Sequence, residues 1–299
     1  DYARTTYGME VSEVEDINDA LVYFTGRNFP VLESPNKITT AHYLAAMKPL
    51  ATSLLNEARV SHQNASRLFN ESTIPNRFPS YYRNQVTDYL NAAGDRLLES
   101  THWFDQEVYY TSTSKSFQSL INSHFVTAAC EYFSSQDQVL YLSNLMNETL
   151  RFYQNKTTVA KNAPIRGMVT LQCVGAAQQR INEASSYLTA ANTSLKNDDF
   201  LTALYNIEYA HERIQSVQWW LNISAPFNDT GTINSSTITM LAEEYFDNAQ
   251  QATTYSGIIL NEMGKTSSEL SDAETLLATA RKENDEGYSA AALFGAFES

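Results

Sequence analysis

The chain has 299 residues, enough to bury a substantial core, with 20 Lys and Arg against 34 Asp and Glu for a formal net charge of −14. That charge repels phosphate backbones and anionic head groups, so no nucleic-acid partner is expected, and membrane attachment would come only through an anchor elsewhere in a parent chain. The charged fraction is 18%, against about 25% in ordinary soluble domains, and Asn, Ser, Thr, Gln and Tyr fill the surface instead.

This polar, weakly charged surface suits a cell exterior. Eight Asn-x-Ser/Thr sequons occur, at Asn64, Asn70, Asn147, Asn155, Asn192, Asn222, Asn228 and Asn234, roughly twice the chance number, and they are glycosylation candidates in an extracytoplasmic, secreted or membrane-anchored protein. Cys130 and Cys173 both stand in apolar helical patterns. Two buried thiols is one reading; export would make a Cys130–Cys173 disulfide the other.

In chain order, residues 1–27 differ from the rest. Tyr7-Gly8-Met9-Glu10-Val11-Ser12-Glu13-Val14 alternates like a short strand, and Asp16 then caps a helix with Ile17, Ala20, Leu21 and Phe24 on one face, ended by Gly26. Beyond it Gly and Pro are sparse, and apolar residues recur every three or four positions. Long helices are predicted over 38–69, 80–110, 116–134, 136–153, 168–195, 199–221, 237–263 and 267–284, with one more begun at Gly287 and running to Ser299. The fold class is therefore all-α, built of antiparallel helical hairpins, with a short N-terminal strand. Pro164 and Gly167 suggest sub-bundles over 28–163 and 164–299.

Around Lys196-Asn197-Asp198, residues Tyr187, Ala190, Ala191, Leu195, Phe200, Ala203, Ile207 and Ala210 place small side chains where two antiparallel helices meet. This resembles one tetratricopeptide unit, and Leu276, Thr279, Tyr288 and Ala291 echo Leu188, Ala191, Phe200 and Ala203 88 residues later. An irregular TPR-like array and an ordinary helical bundle both fit.

No motif carries a reaction. There is no glycine-rich phosphate loop, no nucleophile turn and no His-Glu-x-x-His, so no catalytic, metal or cofactor residue is expected. His102 and Asp105 are three apart on a helix, but two ligands do not make a metal site, and the Glu243-Glu244 pair reads as a solvated face. The adjacent pairs Tyr109-Tyr110 and Trp219-Trp220 are better candidates. Adjacent residues on a helix cannot both face one core, so one member of each pair either packs between helices with its polar tip wet or serves as an anchor for a protein or peptide partner.

The run Tyr7-Gly8-Met9-Glu10-Val11, with Val14, Ile17, Ala20 and Leu21, resembles the closing strand and helix of Lon-type serine peptidase domains, in particular the archaeal secreted or membrane-anchored proteins that lack an ATPase module. The match covers under a tenth of the chain. It implies that the family's Ser-Lys dyad precedes Asp1 and that this region is a non-catalytic C-terminal helical accessory domain, for substrate or partner binding, oligomerisation or spacing from a membrane. A stand-alone cell-surface structural or ligand-binding module is the alternative.

Overall fold

The computed structural model describes residues 2–8, 22–23, 25–26, 41–72, 80–225 and 233–299. These fall in two compact units, Asp1–Leu44 and Ala45–Ser299. In the first, α1 is Tyr2–Tyr7 and ends at Gly8 with φ of +66°. Tyr7, expected to begin a strand, is thus the last residue of a helix; Met9–Leu21, which hold the rest of the expected strand and most of the Lon-like pattern, lie outside the described residues.

The described residues of the second unit form helices joined by turns and loops, with no strand among them. The unit contains most of α2 (Ala41–Glu71), then α3 (Ser80–Asp105), α4 (Tyr109–Ser134), α5 (Gln138–Lys161), α6 (Met168–Lys196), α7 (Phe200–Ser224), α8 (Ser235–Glu262), α9 (Ser268–Asp285) and α10 (Ser289–Glu298). The most extensive pairings are α6 with α7 and α3 with α4. α4 and α5 pack on α7, α5 also packs on α6, and α10 is wedged among α6, α8 and α9. Among the described residues no helix is long and apolar enough to cross a membrane.

One hairpin is used three times. The α3–α4, α6–α7 and α9–α10 pairs each turn over three residues, through Glu107 (φ +60°), Asp198 (φ +57°) and Gly287 (φ +83°). The residue after each donates the bond that closes the helix end: Val108 N–H to Trp103 O at 3.0 Å, Asp199 N–H to Ser194 O at 3.0 Å and Tyr288 N–H to Glu283 O at 2.8 Å. These are the six-to-one bonds of a left-handed helix cap.

Counted back from the three turn residues, Leu90, Ile181 and Leu270 stand at the same distance, as do Ala93, Ala184 and Ala273, then Leu97, Leu188 and Leu277, then Ser100, Ala191 and Ala280. Across each turn Ser112, Ala203 and Ala292 occupy one buried position. The echo of the α6–α7 hairpin therefore runs at 89 residues, not 88: Leu277 and Ala280 are buried, whereas Leu276 and Thr279 are exposed.

Small residues let the paired helices approach closely, and in the first hairpin Ser100, Ser112, Ser116 and Ser119 do this work with their hydroxyls hydrogen-bonded. Ser100 Oγ donates to Ser112 O at 2.9 Å and lies 2.7 Å from Ser116 Oγ, while Ser119 Oγ donates to Ala93 O at 2.8 Å. Polar caps fix other helix starts: Asp137, Asp199, Asn234 and Ser267 accept from the first-turn N–H groups of α5, α7, α8 and α9. α10 has no such residue of its own. Buried Gln178 on α6 replaces it, its Oε1 accepting from Ala290 N–H at 3.0 Å and Ala291 N–H at 3.2 Å.

Candidate functional site

The C-terminal half of α7, with α4, α6 and the start of the second unit's α2, frames a cleft. Its apolar wall is Met47, Leu50, Phe117, Trp219, Trp220 and Ile223, and its polar edge is Tyr110, Thr113, Ser114, Ser216, Arg180 and Arg213. It holds about 80 Å³. That is smaller than the ~150 Å³ cavity that binds a benzene ring, and suits one inserted side chain better than an enclosed small molecule.

The aromatic pairs separate here. Trp219 and Trp220 both stay partly buried and both line the cleft, Trp219 edge-on to Phe117 with ring centroids 5.8 Å apart. Tyr110 is half exposed at the rim, while Tyr109 is 5% exposed and packs against Phe104. Tyr109 is thus a core residue, because the register set by the Glu107 turn points it inward.

The charge at the edge comes from residues with no sequence signal. Arg180 Nη1 donates to Glu183 Oε1 at 2.8 Å, and Arg213 Nε reaches Glu183 Oε2 at 2.9 Å as an ion pair with poor hydrogen-bond angles. The Arg213 guanidinium lies over the Phe117 ring at 4.8 Å and the Tyr209 ring at 5.0 Å, and its Nη2 donates to Tyr209 Oη at 2.7 Å. Two arginines against one glutamate leave the cleft edge with a net positive charge, in a chain of net charge −14. Stacking orients Arg213, and one of Arg180's five N–H donors is spent on Glu183.

A second constellation lies where α2, α4 and α7 meet. Ser61 Oγ is 3.0 Å from His124 Nε2, and His124 Nδ1 is 2.7 Å from Glu212 Oε1. Ser61 is half-buried, the His124 side chain is 31% exposed and that of Glu212 is 3% exposed. Burial pulls the imidazole toward the neutral form, but the hydrogen bond and charge of Glu212, with Glu208 and Glu57, outweigh it and raise its pKa above the ordinary value. Burial in turn pushes Glu208 up to about 7 and raises Glu57, while neighbouring His211 is lowered by burial. Residues 61, 124 and 212 come from three helices, so spacing along the chain could not reveal them.

The other sequence candidates are dispersed. Cys130 and Cys173 are free, buried thiols in α4 and α6, each pushed up to about 11 by burial. His102, Asp105, Glu243 and Glu244 are exposed, and among the described residues no group of three or more His, Cys, Asp or Glu is arranged to hold a metal ion. Asn64, Asn70, Asn147, Asn155, Asn192, Asn222 and Asn234 are exposed, whereas Asn228 lies outside the described residues. No family model, no curated protein and no solved structure matches the chain.

Proposed function

We propose that the chain is a helical binding module whose Trp219–Trp220 cleft takes a protein or peptide segment pairing an apolar side chain with a carboxylate. The convergence of two tryptophans with Arg180 and Arg213 in one cleft carries the reading. Tryptophan and arginine in a desolvated pocket are the residues that dominate protein recognition, the rings taking apolar surface and the guanidinium fork taking an anion. Exposure of seven sequon asparagines supports an extracytoplasmic setting. Beside a Lon-like peptidase the cleft would collect substrate; in a stand-alone surface module it would hold a partner.

The test is calorimetric titration of the chain with short peptides ending in Leu or Phe, as free acids and as amides. The free acids are expected to bind more tightly than the amides, and Arg180→Met should weaken the acids by about tenfold while leaving the amides unchanged, the scale of one charge-assisted hydrogen bond. Equal binding of acids and amides, or no binding of either, would overturn the assignment.

A further inference from the structure

We infer that Ser61, His124 and Glu212 form a proton relay that makes Ser61 a nucleophile toward activated esters and phosphonyl fluorides. The two contacts, 3.0 Å from Ser61 Oγ to His124 Nε2 and 2.7 Å from His124 Nδ1 to Glu212 Oε1, are the nucleophile-to-base and base-to-orienter links of serine hydrolysis. A buried carboxylate on Nδ1 selects the tautomer in which neutral His124 accepts at Nε2. Ser61 is then the donor, and its proton has a place to go. The hydroxyl and the imidazole are both partly open to solvent, and the orienting acid is not.

The chemistry is limited by what the helix withholds. Ser61 sits in the middle of α2, whose backbone N–H groups are spent on the helix ladder, so the nucleophile has no backbone oxyanion donor of the kind a strand-to-helix turn supplies. Substrates with good leaving groups, such as aryl esters, need that donor least. In acylation Ser61 Oγ bonds to the carbonyl carbon, its proton passes to Nε2, Glu212 pairs with the imidazolium, and the C–O bond to the aryl oxide breaks as the imidazolium gives that proton to the leaving oxygen. In deacylation water loses a proton to the neutral Nε2 and bonds to the acyl carbon, and the proton returns to Ser61 Oγ as the acyl–serine bond breaks. A phosphonyl fluoride reacts likewise, with the P–F bond breaking and fluoride leaving.

The groups facing His124 are Ser61 and Glu57 from α2 and Glu208 and Glu212 from α7, with His211 nearby. Their carboxylates favour the imidazolium, so the base form fills only as pH rises above the ordinary histidine range near 6.5.

The test is incubation of the full chain with an alkyl fluorophosphonate followed by peptide mass mapping. Expected are a single adduct on the peptide containing Ser61, none in Ser61→Ala, a rate about a hundredfold lower in His124→Gln, and a wild-type rate that climbs through the titration of His124. No adduct at Ser61 would overturn the inference. So would a rate indifferent to His124→Gln, or, should that variant fail to fold, a wild-type rate flat between pH 6 and 9.

Discussion

Gln178 shows how one side chain can hold a junction together. It accepts from two first-turn N–H groups of α10, and its Nε2 approaches Ala160 O at the end of α5, 3.4 Å away. Replacing it by Leu keeps the volume and leaves two buried donors unsatisfied, so Gln178→Leu is expected to cost about 2–3 kcal/mol in urea unfolding. Glu283 makes a different prediction. It is 3% exposed, accepts from Asn182 Nδ2 at 3.0 Å, and is pushed up to about 7 mainly by burial. A carboxyl whose pKa is raised on folding contributes stability that is fully present below its unfolded value near 4.5 and lost as pH rises through about 7. Glu283→Gln keeps the acceptor without the charge, so it should be near neutral at pH 5 and stabilising by about 1–3 kcal/mol at pH 8 in paired unfolding curves.

At this scale the sequence showed part of the cleft and none of the relay. Adjacency singled out Trp219 and Trp220, but both stay partly buried and line the one cleft where a single outward ring was expected; for Tyr109 and Tyr110 adjacency could not say which ring turns inward. Arg180 and Arg213 gain meaning only from Glu183, Tyr209 and Phe117 around them.

Among the elements, helix contacts are set by what each glycine lets approach. A Cβ added at Gly295 of α10 would stand 2.8 Å from the Ala280 Cβ of α9, whereas at Gly257 of α8 the nearest atom is the Leu270 Cδ2 at an ordinary 3.6 Å. Gly295→Ala should therefore destabilise by about 1–3 kcal/mol through overpacking, and Gly257→Ala should stabilise by up to about 1 kcal/mol through helix propensity, both read as shifts in unfolding midpoint. Helix periods were plain in the apolar spacing, and most ends fell within a few residues of those seen. The larger misses are the break between the helices expected over 80–110 and 116–134, which falls earlier, at Gln106-Glu107-Val108, and the end of α5, expected at 153 and found at Lys161. With no Gly or Pro at that break, the left-handed turn falls on Glu107, a residue that gives no breaker signal. The repeat register slipped by one for the same reason: Leu276-Leu277 offers two leucines, and only packing tells which is inside.

Over the whole second unit, three copies of one hairpin are separated by α5 and α8 and preceded by α2, and the all-α class follows from sequence pattern because every one of these helices carries an apolar stripe. Of the expected N-terminal strand only Tyr7 and Gly8 are described, and Tyr7 closes a helix; the remainder lies outside the described residues. The cleft forms where the α3–α4 and α6–α7 hairpins meet α2, so it depends on packing between copies and could not be read from any single one.

The proposed function is tested most directly by the indole N–H signals of the three tryptophans, Trp103, Trp219 and Trp220, followed by NMR as a peptide ending in a free Leu or Phe carboxylate is added. Saturable shifts of the Trp219 and Trp220 signals, with Trp103 on α3 unmoved, are the predicted result. Signals that stay fixed at high peptide concentration, or a Trp103 shift equal to the other two, would contradict it.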